Sequence, residues 1–163
     1  MIVRHLDDIR GTERDVEAPT FYSRRFLLRR DGMGFSFHDT VLDAGTETLI
    51  WYVHHLEAVY CIEGEGELEL VETGERHAIR PGTFYALDGH EKHWLRAHKA
   101  LRMICVFNPP LTGAETHDEE GTYPLIAEAP DGPVAAAETI PEGTTNDRPN
   151  DSRKRPLPVA AGE

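Results

Sequence analysis

What constrains this chain most is its punctuation. Turn pairs ending in glycine stand at Asp31-Gly32, Ala44-Gly45, Glu63-Gly64, Thr73-Gly74, Pro81-Gly82 and Asp88-Gly89. The stretches between them are mostly too short for helices and the right length for strands. Apolar and polar residues alternate within them, plainly in Phe35-Ser36-Phe37-His38 and Glu67-Leu68-Glu69-Leu70, as half-buried strands require. The spacing predicts strands over 22–28, 34–41, 48–54, 58–62, 67–71, 77–79, 83–87, 92–97 and 101–107. Short helices are expected only over 6–10 and after Thr112. Many short strands without helical interleaving imply an all-β fold, a jelly roll or closed barrel with one or two short helices.

The pattern stops at Tyr123. Residues 124–163 hold seven of the eleven prolines and no aromatic residue, so they are expected to form a disordered tail behind a folded domain of residues 1–123. The tail's seven acidic and four basic residues carry −3 of the net −12, which leaves −9 on the domain. Charge of that sign opposes binding to nucleic-acid backbones. No apolar run exceeds five residues, against roughly 20 for a membrane span. The opening MIVRHLDDIR lacks the apolar region of a secretory signal. A cytoplasmic protein with neither nucleic-acid nor membrane partners is expected. Cys61 and Cys105 both lie in apolar runs and form no CxxC, so they are expected to be reduced and buried.

Two adjacent hairpins carry a spacing similar to that of the cupins, whose jelly roll holds a metal on G-x5-H-x-H-x3-E-x6-G and G-x5-P-x-G-x2-H-x3-N. Gly45, Glu57 and Gly64 match the first pattern, but its histidines fall on Trp51 and Val53. Gly74 and Gly82 match the second, whose histidine falls on Tyr85. The fold is supported and the usual ligand set is not. A replacement set is available in Glu57, Tyr85 and His93, provided that 83–87 and 92–97 pair as a hairpin and return His93 to Tyr85. Two hard oxygens and one imidazole suit iron, and zinc also fits on ligand grounds. Each residue has a plainer role open to it. Glu57 can be a solvated hairpin residue, Tyr85 a core aromatic, and His93, like His90 and His98, an exposed side chain. His54 and His55 fall on opposite faces, so at most one points inward.

Longer strings are more specific. MIVRHLDDIRGTERDV, DGMGFSFHDT, AGTETLIWY, HLEAVYCIEGEGE, PGTFYALDGHEKHWLRA, CVFNPPLTG and ETHDEEGTY together closely resemble the ectoine synthases, from Met1 to about Tyr123. The resemblance implies a cupin fold, a head-to-tail homodimer and dependence on Fe(II), with other divalent metals possible. It also implies the last step of ectoine biosynthesis, ring closure of N-γ-acetyl-L-2,4-diaminobutyrate with loss of water. Carried over by position, it makes Glu57, Tyr85 and His93 the metal ligands and Ser23, Arg25, Thr40, Cys105 and Phe107 the substrate-binding residues. Tyr52, Glu115 and His117 become catalytic. The chain departs from the resemblance at Phe21, where Trp is usual, so one wall of the pocket is expected to differ.

The chemistry is compatible with these side chains. The α-amine must attack the acetamide carbonyl while a base takes its proton and an acid protonates the departing oxygen. Glu115 and His117 are the expected pair, and the planar fork of Arg25 suits the substrate carboxylate. Without the resemblance, Tyr52 and Phe107 read as core, one of Arg24 and Arg25 as solvated, and Glu115 and His117 as part of an acidic cap. Two other functions stay open from the residues: an oxygen-using iron cupin and a non-catalytic cupin that binds a small ligand. The −9 of the domain would keep such an enzyme soluble in strong salt, where repulsion is screened.

Overall fold

The long strands organise the molecule. The computed structural model describes residues 1–118, 120–123 and 126; the remainder of the stretch expected to be a disordered tail lies outside the described residues. In chain order the elements are α1 (Leu6–Ile9), β1 (Asp15–Glu17), β2 (Phe21–Leu27), a 3-10 turn (Arg29–Asp31), β3 (Ser36–Leu42), β4 (Thr46–Ile50), β5 (Leu56–Leu70), β6 (Arg76–Ile79), β7 (Phe84–Leu87) and β8 (His93–Asn108). All pairings are antiparallel. The sheet runs β1-β2-β3-β8-β5-β6, with β4 beside β8 and β7 beside β5.

Strands β5 and β8 belong to both halves of a jelly roll. The first part of β5 and the last part of β8 carry β7 and β3; their other ends carry β6 and β4. Between the halves, the β5–β8 register shifts at Cys61/Glu63, Glu63/Glu65 and Glu65/Gly66. Bulges of this kind bend a strand so that a sheet can close on itself. The two glycines there are forced by proximity. A Cβ on Gly64, at φ +96°, would stand 2.0 Å from the Ala100 carbonyl oxygen, and one on Gly66 would stand 2.3 Å from that of Arg96.

This bend corrects several expectations. Glu63-Gly64 is a bulge and not a turn, so the strands expected over 58–62 and 67–71 are one strand. Those expected over 92–97 and 101–107 are likewise one. The strand expected over 48–54 ends at Ile50, because Trp51 N–H leaves the ladder to donate to the Gly121 carbonyl (2.9 Å). Strand β1 and the 3-10 turn went unread, each being three residues long. After Thr112 no helix forms among the described residues. Most consequential, 83–87 and 92–97 do not pair with each other. Tyr85 stands opposite Val59, whereas His93 stands opposite Leu70 and Ile50, beyond the bend.

Alternation sets what faces inward. Strand β3 buries Ser36, His38, Thr40 and Leu42, and β5 buries Glu57, Val59, Cys61 and Leu68. Leu95, Leu101 and Met103 of β8 are almost fully enclosed, each contributing about 1.5–3 kcal/mol by burial. The amino-terminal segment is fastened by Asp31, whose carboxylate accepts from Arg4 (2.7 Å), Arg14 (3.0 Å) and the Leu28 N–H (2.8 Å).

Candidate active site

Register alone places the polar side chains of the interior. Arg25 of β2 opposes His38 of β3, His38 opposes Cys105 of β8, Cys105 opposes Val59 of β5, and Val59 opposes Tyr85 of β7. Five inward residues therefore form one rung across five strands. The next rung places Glu57 between Phe107 and Leu87. Ser23 and Thr40, directly opposed on the other side, share a hydroxyl contact of 3.1 Å.

These rungs wall a narrow interior cavity. Ser23, Thr40, Tyr52, Glu57, Tyr85, Cys105, Phe107 and His117, all expected from the sequence, line it. Arg25, His93 and Glu115 are buried but are not among its lining residues. Phe21, the departure from the family resemblance, forms part of the wall and meets His117 edge-on at 5.3 Å between ring centres. His38 and Tyr123 also line the cavity and were missed. Alternation placed His38 on a strand, and its even spacing from Thr40 was the available signal. Tyr123 looked like the last residue before a tail.

An aromatic cluster covers one end. Tyr52 packs edge-on against Phe107 (5.1 Å), and His117 stacks on Tyr123 (4.5 Å). Tyr52 Oη lies 2.9 Å from His117 Nε2. Burial, then the nearby Tyr123 and Glu57, push the Tyr52 hydroxyl well above its usual value. Burial and the Arg25 guanidinium push His117 down to about 4. Near neutrality the phenol therefore keeps its proton and the imidazole is uncharged, and the two share a hydrogen bond whose direction follows the tautomer of His117. The loop that carries Tyr52 is held to the 88–91 turn. Trp51 Nε1–H donates to the His90 carbonyl (3.0 Å), and His90 Nδ1 donates to that of Tyr52 (2.7 Å).

Glu115 is already engaged. Its carboxylate accepts from Thr112 N–H (2.7 Å), Thr112 Oγ1 (2.8 Å) and Gly113 N–H (2.8 Å). Burial alone would raise its pKa, but these backbone N–H groups outweigh burial and hold it below the usual range. The expected acid–base pairing of Glu115 with His117 is therefore not what is assembled. Glu115 fixes the 112–115 loop, and its carbonyl accepts from Arg25 Nη2 (2.8 Å). His117 is instead paired with Tyr52.

Among the described residues, no three His, Cys, Asp or Glu side chains gather to hold a metal, so a metal here needs a donor of another kind. Tyr85 can supply one. Burial, with Glu57 and then the two cysteines, drives its phenol well above the usual range. Burial raises Glu57 to about 8 against a weaker opposing hydrogen bond with Cys105. Both groups resist ionising without a cation and would become oxygen ligands beside one. His93 Nδ1 donates to the Glu91 carbonyl (3.0 Å), while its Nε2 is buried without a partner among the described residues. An imidazole oriented through one nitrogen, with the other free, is the usual form of a metal-binding histidine. His93 also lies near enough to His117 to depress its pKa. Two carboxyl and phenol oxygens and an unshared imidazole nitrogen have the chemistry of a donor set for a divalent cation.

A jelly roll enclosing a small cavity between its sheet halves defines the cupin class. The model of the family described as ectoine synthase matches residues 1–127. An L-ectoine synthase of Desulfatibacillum aliphaticivorans is 63% identical over 128 residues, covering 77% of this chain and 98% of the relative. That of Oceanobacillus iheyensis is 57% identical over 128 residues, covering 78% and 100%. The crystal structure of ectoine synthase from P. lautus superposes with a TM-score of 0.71 at 66% identity, covering 80% of this chain and 94% of that one. The chain belongs to the ectoine synthase family, a family of hydro-lyases. Among the described residues, no helix is long and apolar enough to cross a membrane.

Proposed function

We propose that this chain closes N-γ-acetyl-L-2,4-diaminobutyrate into ectoine with loss of water, using Fe(II) held by Glu57, Tyr85 and His93. The observation that carries the proposal is the cavity itself. In a chain of this family, it sets a buried carboxyl and phenol on one wall and donors and hydroxyls on the other. A bound cation would polarise the acetamide carbonyl, an effect worth several kcal/mol. The residues supply the rest. The confined space favours the curled conformer, and positioning of this kind contributes up to about 7–11 kcal/mol.

Ring closure forms a bond from the α-nitrogen to the amide carbon, and the former carbonyl oxygen leaves as water. The α-nitrogen must lose protons and the oxygen must gain them. Neutral His117 takes the two protons that the α-nitrogen gives up, one after the other, and each passes through the hydrogen-bonded Tyr52 hydroxyl to the oxygen, which leaves as water while both side chains regain their starting states. Arg25 binds the substrate carboxylate. Ser23 and Thr40 line the polar wall, Phe107 and Phe21 exclude water, and Cys105 packs beside Glu57 as a protonated thiol. Exposed Met1, Ile2, Tyr60 and Phe84 leave apolar surface outside the barrel, which supports a homodimer.

The test is incubation of the purified protein with Fe(II) and the acetylated diaminobutyrate under nitrogen, with ectoine followed by chromatography. Formation of ectoine that needs added iron and no oxygen is expected. No product under iron-replete, anaerobic conditions would overturn the proposal.

A further inference from the structure

Seven buried side-chain nitrogen or oxygen atoms have no hydrogen-bond partner among the described residues. Asp15 Oδ1 and Arg24 Nε are two of them, and they face each other as an ion pair at 3.4 Å. Three others share one rung of the interior: Arg25 Nε, Arg25 Nη1 and His38 Nε2. Both side chains are essentially inaccessible, at 0% and 1% exposure. His38 lines the cavity, and Arg25 is its direct neighbour across the β2–β3 pair.

Two of the three guanidinium nitrogens of Arg25 are without an acceptor among the described residues. Only Nη2 is used, by the Glu115 carbonyl. The Glu115 carboxylate comes no closer to Nη1 than 3.7 Å, and its hydrogen bonds go to Thr112 and Gly113. It balances the charge of Arg25 without occupying the fork.

His38 adds a third donor. Ser23 Oγ lies 3.4 Å from His38 Nδ1 and 3.1 Å from Thr40 Oγ1. When Thr40 donates to Ser23 and Ser23 donates to Nδ1, the ring proton is on Nε2. Burial and the Arg25 guanidinium keep the imidazole neutral, so it carries only that one N–H. Three N–H groups on adjacent strands then lack an acceptor among the described residues. Buried donors of this kind are matched by an anion with several lone pairs, and a carboxylate has two such oxygens.

We propose that His38 binds the substrate carboxylate through Nε2–H, beside the Nε–H and Nη1–H of Arg25. The identity of the carboxylate rests on the proposed ring closure; the donor set does not. His38 is thereby a specificity-determining residue, separating an α-amino acid from the same diamine without its carboxylate.

The discriminating pair is His38→Leu, which keeps volume and removes the donor, and His38→Gln, which restores one. Each is assayed as iron-loaded protein with the acetylated amino acid as substrate and N-acetyl-1,3-diaminopropane, its decarboxylated analogue, as competitor. His38→Leu should lower kcat/KM for the acid by about 10- to 100-fold, mainly through KM, the range expected for a hydrogen bond to a charged group. The inhibition constant of the analogue should change by less than about twofold, and His38→Gln should recover much of the loss. Unchanged kinetics with the acid, or equal losses with acid and analogue, would overturn the role of His38. If wild-type protein makes no ectoine, the ring-closure proposal fails instead. Calorimetric titration of wild type and His38→Leu with the acid then still reads the carboxylate site, an equal affinity counting against it.

Discussion

Replacing Tyr52 by Phe separates the chemistry of the site from its packing. The ring is 5% exposed and touches Phe107 at 5.1 Å and Tyr123 at 4.8 Å, contacts that a phenyl ring keeps. No cavity opens, so the penalty is confined to one hydroxyl. Its loss removes the 2.9 Å hydrogen bond and leaves His117 Nε2, on a half-buried ring, without that partner. A net loss of about 1 kcal/mol is typical of such a bond, rising to about 3 where the partner is left unsatisfied. Losing a general acid typically costs 10²–10⁴ in rate, about 2.7–5.4 kcal/mol at 1.36 per decade. The rate effect should therefore exceed the stability effect. Turnover at saturating substrate, read as ectoine by chromatography, should fall at least 100-fold, while urea unfolding shows a loss of about 1–3 kcal/mol. A kcat within threefold of wild type, at equal iron content, would refute Tyr52 as a proton donor.

Three further outcomes follow from single positions. Asp31 is held at about 2 against a usual 3.8, because its bonds from Arg4, Leu28 N–H and Arg14 outweigh the opposing effect of burial. Its folded pKa is depressed, so it contributes about 2 kcal/mol above pH 4, lost as pH falls toward 2. Asp31→Asn should show that loss in urea unfolding at pH 7 and a flatter acid limb; an unchanged acid limb would refute it. Gly64→Ala should destabilise by more than about 2 kcal/mol or prevent soluble expression, since both its φ of +96° and the Ala100 carbonyl oppose a Cβ. Glu57→Gln and Tyr85→Phe should each strip iron from protein purified anaerobically in Fe(II), measured by plasma emission, with circular dichroism unchanged. Full iron retention in either would remove that residue from the ligand set.

Much of the fold was legible because alternation depends only on which face of a strand is buried. His38, Thr40, Glu57 and Tyr85 fall on the inner face by parity alone, and cupin-like spacing singled out two of them. What parity cannot supply is the partner of each strand. The hairpin expected to bring His93 back to Tyr85 does not exist, since both flanking segments pair with different parts of β5. The continuity of β5 was hidden because Glu63-Gly64 has the composition of a turn, while the need for glycine there comes from Ala100, distant in sequence. Glu115 shows a third limit. Nothing in ETHDEEGTY indicates that its carboxylate turns back to the N–H groups of Thr112 and Gly113 and not toward His117.

The unpartnered atoms bear on what the interior has been built to do. A buried nitrogen without a partner costs about 1–3 kcal/mol, comparable with a sizeable part of a domain's whole stability. Setting aside the Asp15–Arg24 pair, all such atoms among the described residues belong to Arg25, His38, His55 and His93. Elsewhere the interior does not tolerate them; Ser36 Oγ accepts from Leu111 N–H, and the Asp39 carboxylate takes two nitrogens of Arg102. His38 lines the cavity, Arg25 opposes it, and His55 packs edge-on against the lining Phe107. A sequence selected for stability alone would fill such positions with apolar side chains. Groups of this kind are what binding requires: cationic and neutral donors on β2 and β3, a free imidazole nitrogen at the start of β8, and two oxygens on β5 and β7. The donors match a carboxylate, and the nitrogen with the two oxygens matches a cation. Under the proposed ring closure, a substrate carrying its carboxylate at one end and its acetamide at the other would meet both.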